Sequence, residues 1–258
     1  MPDEAVTALS GLVASFLSGL LGIGGGLALT PLLLYLPPLL GAPALSVKIV
    51  TGLTIVQAIS GSTLGAIRHS RYGNVSLRLV WLMGPPIAAS SLVGAFVSRD
   101  TSDSVLLLIF ATLAFAGAVM LLLPVTPRAG TAVDIEVHRP LAVALALGLG
   151  FFGGMVGIGG IAFIIAALVY VLRVPPRIAI GTSLAIGLFA AIAAFIGKAA
   201  TAQIDPPLAA IVFVSALVAS PVGAAVSVRT QPRLLLVILA IVVAAAAIRI
   251  AITALTGT

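Results

Sequence analysis

Two glycine-rich stretches, Gly19-Leu-Leu-Gly-Ile-Gly-Gly-Gly26 and Gly153-Gly-Met-Val-Gly-Ile-Gly-Gly160, decide the fold that this sequence predicts. Each interrupts a strongly apolar segment. Non-helical backbone at membrane depth persists only where protein buries it or where it lines an aqueous cavity, and glycine lets a ligand or a helix approach the main chain closely. We therefore interpret each stretch as a break in a membrane helix. The alternative is that the glycines serve only close helix packing.

The composition is that of an integral membrane protein. The 258 residues are 61% hydrophobic and 8% charged, with a mean hydropathy of +1.30. The apolar blocks are long enough for membrane-spanning helices, which predicts an all-α polytopic bundle with the lipid bilayer as its main partner. The net charge of +6 is explained by a bias of Lys and Arg toward cytoplasmic loops, so we expect no nucleic-acid partner.

The chain repeats itself once. We predict a first repeat at residues 1–123, a polar linker at 124–138 and a second repeat at 139–258. In each repeat, apolar limbs of 10 to 14 residues flank the glycine stretch. Prolines (Pro37-Pro38 and Pro175-Pro176) end the second limb. Three spans follow, at 44–67, 77–97 and 104–123, and at 177–198, 206–226 and 232–255. Val47–Leu53 also resembles Ile178–Leu184.

The positive charges favour one orientation. If each glycine segment crosses the membrane once, Lys and Arg divide six against six. If each is a hairpin and the N-terminus lies outside, nine face the cytoplasm, whereas Lys48, Arg99 and Lys198 face out, together with Arg249 near the end of the last span, as the positive-inside rule requires. Limbs of 10 to 14 residues rise about 15 to 21 Å, short of the roughly 30 Å hydrocarbon core. An odd number of crossings per repeat then makes the repeats inverted, as in many transporters.

Candidate binding residues lie at the breaks and on the spans that follow them. The half-helices that begin after each break should present unpaired N–H groups to an anion. Hydroxyl and amide groups at helical spacing could complete the site. The predicted substrate-binding residues are Gly24, Gly25, Gly26, Thr51, Thr54, Gln57, Gly159, Gly160, Thr182 and Ser183. The alternative for the hydroxyl and amide groups is that they hydrogen-bond neighbouring helices.

Enzymatic chemistry has little support in the sequence. The predicted spans contain no Asp, Glu, His or Cys, so we predict no catalytic residue, no metal site and no cofactor. A core carboxylate is the usual proton relay, and its absence favours uniport or another form of coupling. A structural membrane subunit and an anion channel are the competing functions.

The chain resembles the TauE/SafE sulfite-exporter family of prokaryotic membrane proteins. The pieces that carry the resemblance are Gly19–Gly26 with Pro31, the His69-Ser-Arg-Tyr-Gly-Asn-Val75 loop, Gly94-Ala95, Gly154–Gly160 and Ala179–Leu184. The resemblance implies export of sulfite or small organosulfonates such as sulfoacetate across the inner (plasma) membrane. A permease for another small anion is the alternative. The substrate is expected to be a small anion, and a homodimer is left open.

Overall fold

Ten α-helices dominate the parts of the chain that the computed structural model describes, which are residues 3–21, 26–122, 137–157, 161–227 and 232–256. No strand occurs in these ranges, which confirms the all-α prediction. The first half contains α1 (Asp3–Leu21), α2 (Gly26–Leu39), α3 (Val47–Arg71), α4 (Leu77–Asp100) and α5 (Asp103–Leu122). The second half contains α6 (Arg139–Val156), α7 (Ile161–Ala166) with a π-helical segment (Ala167–Val171), α8 (Pro176–Ala200), α9 (Pro206–Ser227) and α10 (Pro232–Thr256).

The bundle has the dimensions of a membrane protein. Within the described ranges, α3, α4, α6, α8 and the first 18 residues of α9 are long and apolar enough to cross a bilayer. Large apolar side chains such as Val93, Ile192 and Val218 are exposed on the outside of the bundle, as expected of a lipid-facing surface. The protein is a polytopic membrane helix bundle. Each of the six predicted full spans corresponds to one helix, with bounds that differ by at most four residues.

The first limb of each repeat is longer than predicted. Helix α1 has 19 residues and α6 has 18, which at 1.5 Å per residue is about 27 to 28 Å and close to a full membrane thickness. The prediction that these limbs are too short to cross is therefore wrong for α6, whereas the apolar part of α1, Glu4–Leu20, is shorter than the helices that can span the membrane. Gly19, Gly153 and Gly154 stay helical, because a glycine inside an apolar helix does not end it when a neighbouring helix packs against it.

The proline stops behave differently in the two halves. Pro37 and Pro38 lie inside the last turn of α2, so the prediction that they follow the helix is wrong. Each proline lacks the N–H that would bond the carbonyl four residues earlier, so the helix ends soon after them, at Leu39. Pro175 and Pro176 do separate the second limb from α8, and Pro176 is the first residue of α8, where its fixed φ suits a helix start.

Two helix pairs join the halves in the same way: α4 packs on α6, and α9 packs on α1. A Cβ placed on Gly94 of α4 would lie 2.0 Å from the carbonyl oxygen of Phe151 in α6. A Cβ on Gly223 of α9 would lie 2.1 Å from the carbonyl oxygen of Phe16 in α1. In both pairs the partners run in the same direction. The glycines therefore bring backbones of different halves into direct contact.

Helices α3 and α8 run antiparallel at the centre of the bundle. Gly52, near the start of α3, lies against the Gln203 carbonyl after the end of α8. Gly181, near the start of α8, lies against the Asn74 carbonyl after the end of α3. The two helices have 25 residues each and begin 129 positions apart. This offset differs by two residues from the one that the sequence resemblance suggests, and it makes Lys198 of α8 the equivalent of His69 of α3.

Candidate functional site

A buried lysine joins the two halves of the bundle. Lys198, in the last turn of α8, is 0% exposed. Its Nζ atom donates to Thr51 Oγ1 at 2.9 Å, to Ser98 Oγ at 3.0 Å and to Gln203 Oε1 at 2.9 Å. An ammonium group has three donors, and all three are used here on neutral oxygen atoms. We call these four residues the Lys198 cluster. None of these three acceptors is a carboxylate.

The turn after α8 positions Gln203 in this cluster. Ala202 has a positive φ of 55°, which turns the chain back, and the Gln203 N–H donates to the Lys198 carbonyl oxygen at 2.9 Å. The Gln203 amide nitrogen lies 3.2 Å from Ala95 O and 2.7 Å from Thr201 Oγ1. A Cβ at position 52 would lie 2.1 Å from the Gln203 carbonyl oxygen. Gly52 is thus required for this turn to lie on α3.

The second glycine break lies against two predicted site residues. Helix α6 ends at Gly157, which has a φ of +77° and donates its N–H to the Gly153 carbonyl oxygen. A Cβ on Gly157 would lie 1.9 Å from Thr51 O and 2.6 Å from Thr54 Oγ1. The Thr54 hydroxyl donates to Thr51 O at 2.9 Å. Thr51 and Thr54 are therefore brought together with the break and with Lys198.

Gln57 faces a different part of the bundle. Its side chain is 1% exposed, and Nε2 donates to Ser15 Oγ in α1 at 3.1 Å. Gln57 thus contacts the helix that precedes the first glycine break. The polar face of α3 extends from the second break at Thr51 to the helix of the first break at Gln57.

Thr182 and Ser183 lie at the opposite end of the bundle from Lys198. The Thr182 oxygen accepts a hydrogen bond from the Ser76 N–H at 3.0 Å, and the Ser183 hydroxyl donates to Ile180 O at 2.8 Å. Both side chains are 0% exposed. They do not join Thr51 and Thr54, because α3 and α8 are antiparallel. Their predicted contact with substrate stays a prediction.

The glycines of the predicted cradles are only partly described. Gly24, Gly25, Gly159 and Gly160 lie outside the described residues. Gly26 is the first residue of α2 and is buried. Its carbonyl oxygen accepts the Thr30 hydroxyl at 3.0 Å.

The first turns of the two half-helices meet at one place. A Cβ on Gly117 of α5 would lie 3.3 Å from the Phe163 ring of α7 and 3.9 Å from Leu27 of α2. Leu27 and Phe163 belong to one buried cluster, which also contains Met155 and Val156 from the end of α6. The residues next to both breaks therefore share one region of the bundle, and a joint binding site there stays a prediction.

A cavity of about 280 Å³ opens between the halves. It lies among α1, α3, α8 and α9 and is reached from the end of α3, where Arg68 is exposed and His69 is half-buried. The His69 Nδ1 atom is buried and has no hydrogen-bond partner. The cavity extends to Ser18 and Gly19, one turn before the first break. It therefore offers a basic approach to the middle of the bundle.

Lys198 is not among the predicted site residues. The charge pattern predicts that this lysine faces out with the loop charges, whereas the structure buries it in the last turn of α8. One signal was available: Lys198 directly follows a long uncharged apolar segment, and small apolar residues follow it. Such a lysine has a long way to reach water, which favours burial over a loop position.

Sequence comparison matches residues 7–250 to the protein family described as "Sulfite exporter TauE/SafE". The chain belongs to this family. It is 34% identical over 192 residues to a probable membrane transporter protein of Xylella fastidiosa (strain 9a5c), covering 71% of this chain and 70% of that protein. It is 26% identical over 237 residues to the probable membrane transporter protein YjnA of Bacillus subtilis, covering 87% and 91% of the two chains. No solved structure matches it significantly.

Membership of the family settles the broad function. This TauE/SafE protein is a multi-pass membrane transporter and not an enzyme. A transporter of this kind has a small-molecule substrate and works in a membrane. Within the described residues, no cluster of His, Cys, Asp or Glu could hold a metal ion.

Proposed function

We propose that this protein is a secondary transporter, and an exporter in the cell, of small oxyanions such as sulfite or organosulfonates (sulfoacetate), and that it works by alternating access. The observation that carries the proposal is the cavity between the two halves. Its approach is lined by Arg68 and His69, and none of its described lining residues is acidic. A basic, low-dielectric cleft concentrates anions.

The size of the cavity favours a small substrate. Sites for drug-sized ligands typically measure about 300 to 1,000 Å³, and this cavity of about 280 Å³ is also shared with solvent. A sulfur oxyanion and its nearest water molecules would occupy it. Ser18 and the backbone at Gly19 supply neutral polar groups at its inner end.

The directions of the helices support inverted repeats. An even number of crossings per half would make the equivalent helices α3 and α8 parallel, whereas opposite ends of these helices meet at Gly52 and at Gly181. Buried contacts also support a chain reversal at each break. Ala14 of α1 shares a cluster with Leu33 of α2, and Ala142 of α6 shares one with Leu172, after the π-helical segment.

In this proposal, the substrate binds between the two breaks near the midplane. With the N-terminus outside the inner membrane, the Arg68 end of α3 faces the cytoplasm and the cavity opens inward, as an exporter needs for loading. Helix α2 has 14 residues, so its N-terminal N–H groups can contribute a helix dipole to the anion. The α-helical part of α7 has only six residues, so we assign it a smaller share of the dipole's interaction with the anion.

The membrane potential can drive this export. An inside-negative potential moves each negative charge outward with about 2.3 kcal/mol per 100 mV. No Asp or Glu lies in the interior of a described span, so coupling through a core carboxylate is not needed.

The proposal is tested by flux in proteoliposomes. The purified protein should carry out net transport of radiolabelled sulfite or sulfoacetate, with saturation and with acceleration by a potential that is negative on the loading side. Taurine, which is uncharged overall, serves as a comparison substrate. Absence of flux with every oxyanion would contradict the proposal. Large, non-saturating conductance would assign the protein to anion channels instead.

A further inference from the structure

We propose that the Lys198 cluster is a second binding site for a small oxyanion. The bound anion would balance the positive charge of Lys198. The site lies where α3, α4 and α8 meet, at the opposite end of α3 from the Arg68 cavity. This inference rests on the proposed transport of oxyanions, and it adds a residue and a location that the cavity does not include.

The region around Lys198 carries more positive than negative charge. Burial of an ammonium ion is costly unless it is paired with an opposite charge. Lys198 is fully buried, and its three bonds go to neutral oxygens. The C-terminal ends of α4 and α8 supply partial negative charge, about half a unit each. Lys48, whose Nζ donates to Arg99 O in the last turn of α4, adds a further positive charge. The region keeps a surplus of positive charge that an anion would neutralise.

The other members of the cluster also carry hydrogen-bond donors. The Thr51 and Ser98 hydroxyls donate to Lys48 O and Ala95 O, and the Gln203 amide nitrogen lies against Ala95 O and Thr201 Oγ1. Rotation of these groups would turn their donors toward a bound anion. With Lys198 they can offer four donor groups to the oxygens of one sulfite or sulfonate. Ser98 Oγ and Gln203 Oε1 are 3.0 Å apart, so the donors are close enough to converge on one small ion. The cluster thus fits a small, compact oxyanion better than a large organic anion.

The position of the cluster relative to the glycine breaks also supports the site. Thr51 contacts both Lys198 and Gly157, the residue at which α6 ends. In the antiparallel arrangement of α3 and α8, Lys198 corresponds to His69, which lines the open cavity. One basic position of the pair is thus open and the other is closed. We infer that the two positions exchange these states when the transporter turns over.

The test is direct binding of sulfite to the purified full chain, with flux measured on the same preparation. Lys198→Met should weaken sulfite binding at least about tenfold, since a charge-assisted hydrogen bond is worth roughly 1.5 to 3 kcal/mol. The control is Lys48→Arg, which changes the only other lysine, at a half-buried position, and keeps its positive charge. We expect it to change the affinity by less than about threefold. Lys198→Gln keeps the polar contacts and removes the charge, and it replaces the Met variant if that variant does not fold.

The outcomes separate this inference from the proposed function. A wild-type protein that transports sulfite, together with a Lys198→Met or Lys198→Gln variant of unchanged affinity, would overturn the second site and leave the transport proposal standing. A wild-type protein that neither binds nor transports an oxyanion would overturn both. Selective loss of affinity in the Lys198 variants supports the site.

Discussion

Thr51 Oγ1 and Lys198 Nζ lie 2.9 Å apart although the two residues are 147 positions apart and belong to different halves of the chain. The contact holds the start of α3 to the end of α8. The same threonine donates its hydroxyl to the Lys48 carbonyl oxygen at 2.8 Å and lies against the second glycine break at Gly157. A single buried hydroxyl therefore connects the two central helices with the break.

Replacement of Thr51 by valine should destabilise the protein. Valine keeps the shape and removes the acceptor of Lys198, which leaves one ammonium proton unpaired at a cost of roughly 1 to 3 kcal/mol. Thr63→Val is the matched control on the same helix, because the Thr63 hydroxyl bonds only to Ile59 O of its own helix. Reversible unfolding in mixed micelles measures both. Equal stability of the two variants would contradict the assignment of Thr51 to this contact.

Gly52→Ala should also be destabilising, against the usual trend. Alanine is favoured over glycine in a helix by about 1 kcal/mol. At position 52, however, the added Cβ would lie 2.1 Å from the Gln203 carbonyl oxygen, so the turn after α8 must move away from Lys198. Gly148→Ala is the control, because a Cβ there meets no atom within 4 Å. We expect a lower unfolding temperature for Gly52→Ala and an unchanged or higher one for Gly148→Ala; the reverse order would refute this account.

Arg68→Gln should weaken transport without an effect on folding. Arg68 is exposed and lines the cavity, so the loss of its charge removes attraction for an anion. We expect a severalfold higher KM for sulfite, with the difference shrinking at high salt. Arg71→Gln is matched in charge, exposure and helix turn, and Arg71 does not line the cavity. Indistinguishable KM values for the two variants would remove the cavity from the substrate path.

The orientation of the cavity can be read with one introduced cysteine, because the chain has none. Leu64 lines the cavity and is exposed. In the proposed topology, Leu64→Cys reacts with a membrane-impermeant maleimide from the cytoplasmic side only, and sulfite slows the reaction. Val93→Cys, on the exposed apolar surface of α4, should react slowly from either side because lipid covers it. Labelling of Leu64→Cys from outside would contradict the predicted orientation.

The spans could be predicted from the sequence because they depend on local composition. Long apolar segments separated by charges or prolines specify where membrane helices begin and end, and α4, α8, α9 and α10 follow them closely. The predicted first limbs ended too early. Gly19 and Gly154 have low helix propensity, but their contacts with Ser220 and Ser91 of the other half keep them helical.

The site was less accessible to sequence analysis because it depends on contacts between distant segments. Thr51 and Thr54 share a helical face, which periodicity reveals, and the structure does place them beside a glycine break. In the sequence, Lys198 has the appearance of a loop charge. Its burial depends on the turn after α8, which brings Gln203 back to it. The equivalence of Lys198 and His69 appears only when α3 and α8 are compared by their ends and not by the best local sequence match.

The packing of α1 on α9, which belong to different halves, has a consequence for how the protein folds during synthesis. Gly19 of α1 finds its contact at Ser220 of α9, about 200 residues later in synthesis. At roughly 5 to 20 residues per second, the ribosome needs on the order of 10 to 40 s to deliver that partner. During this interval, the glycine face of α1 lacks its partner helix. The first half therefore cannot complete its packing before the second half is made.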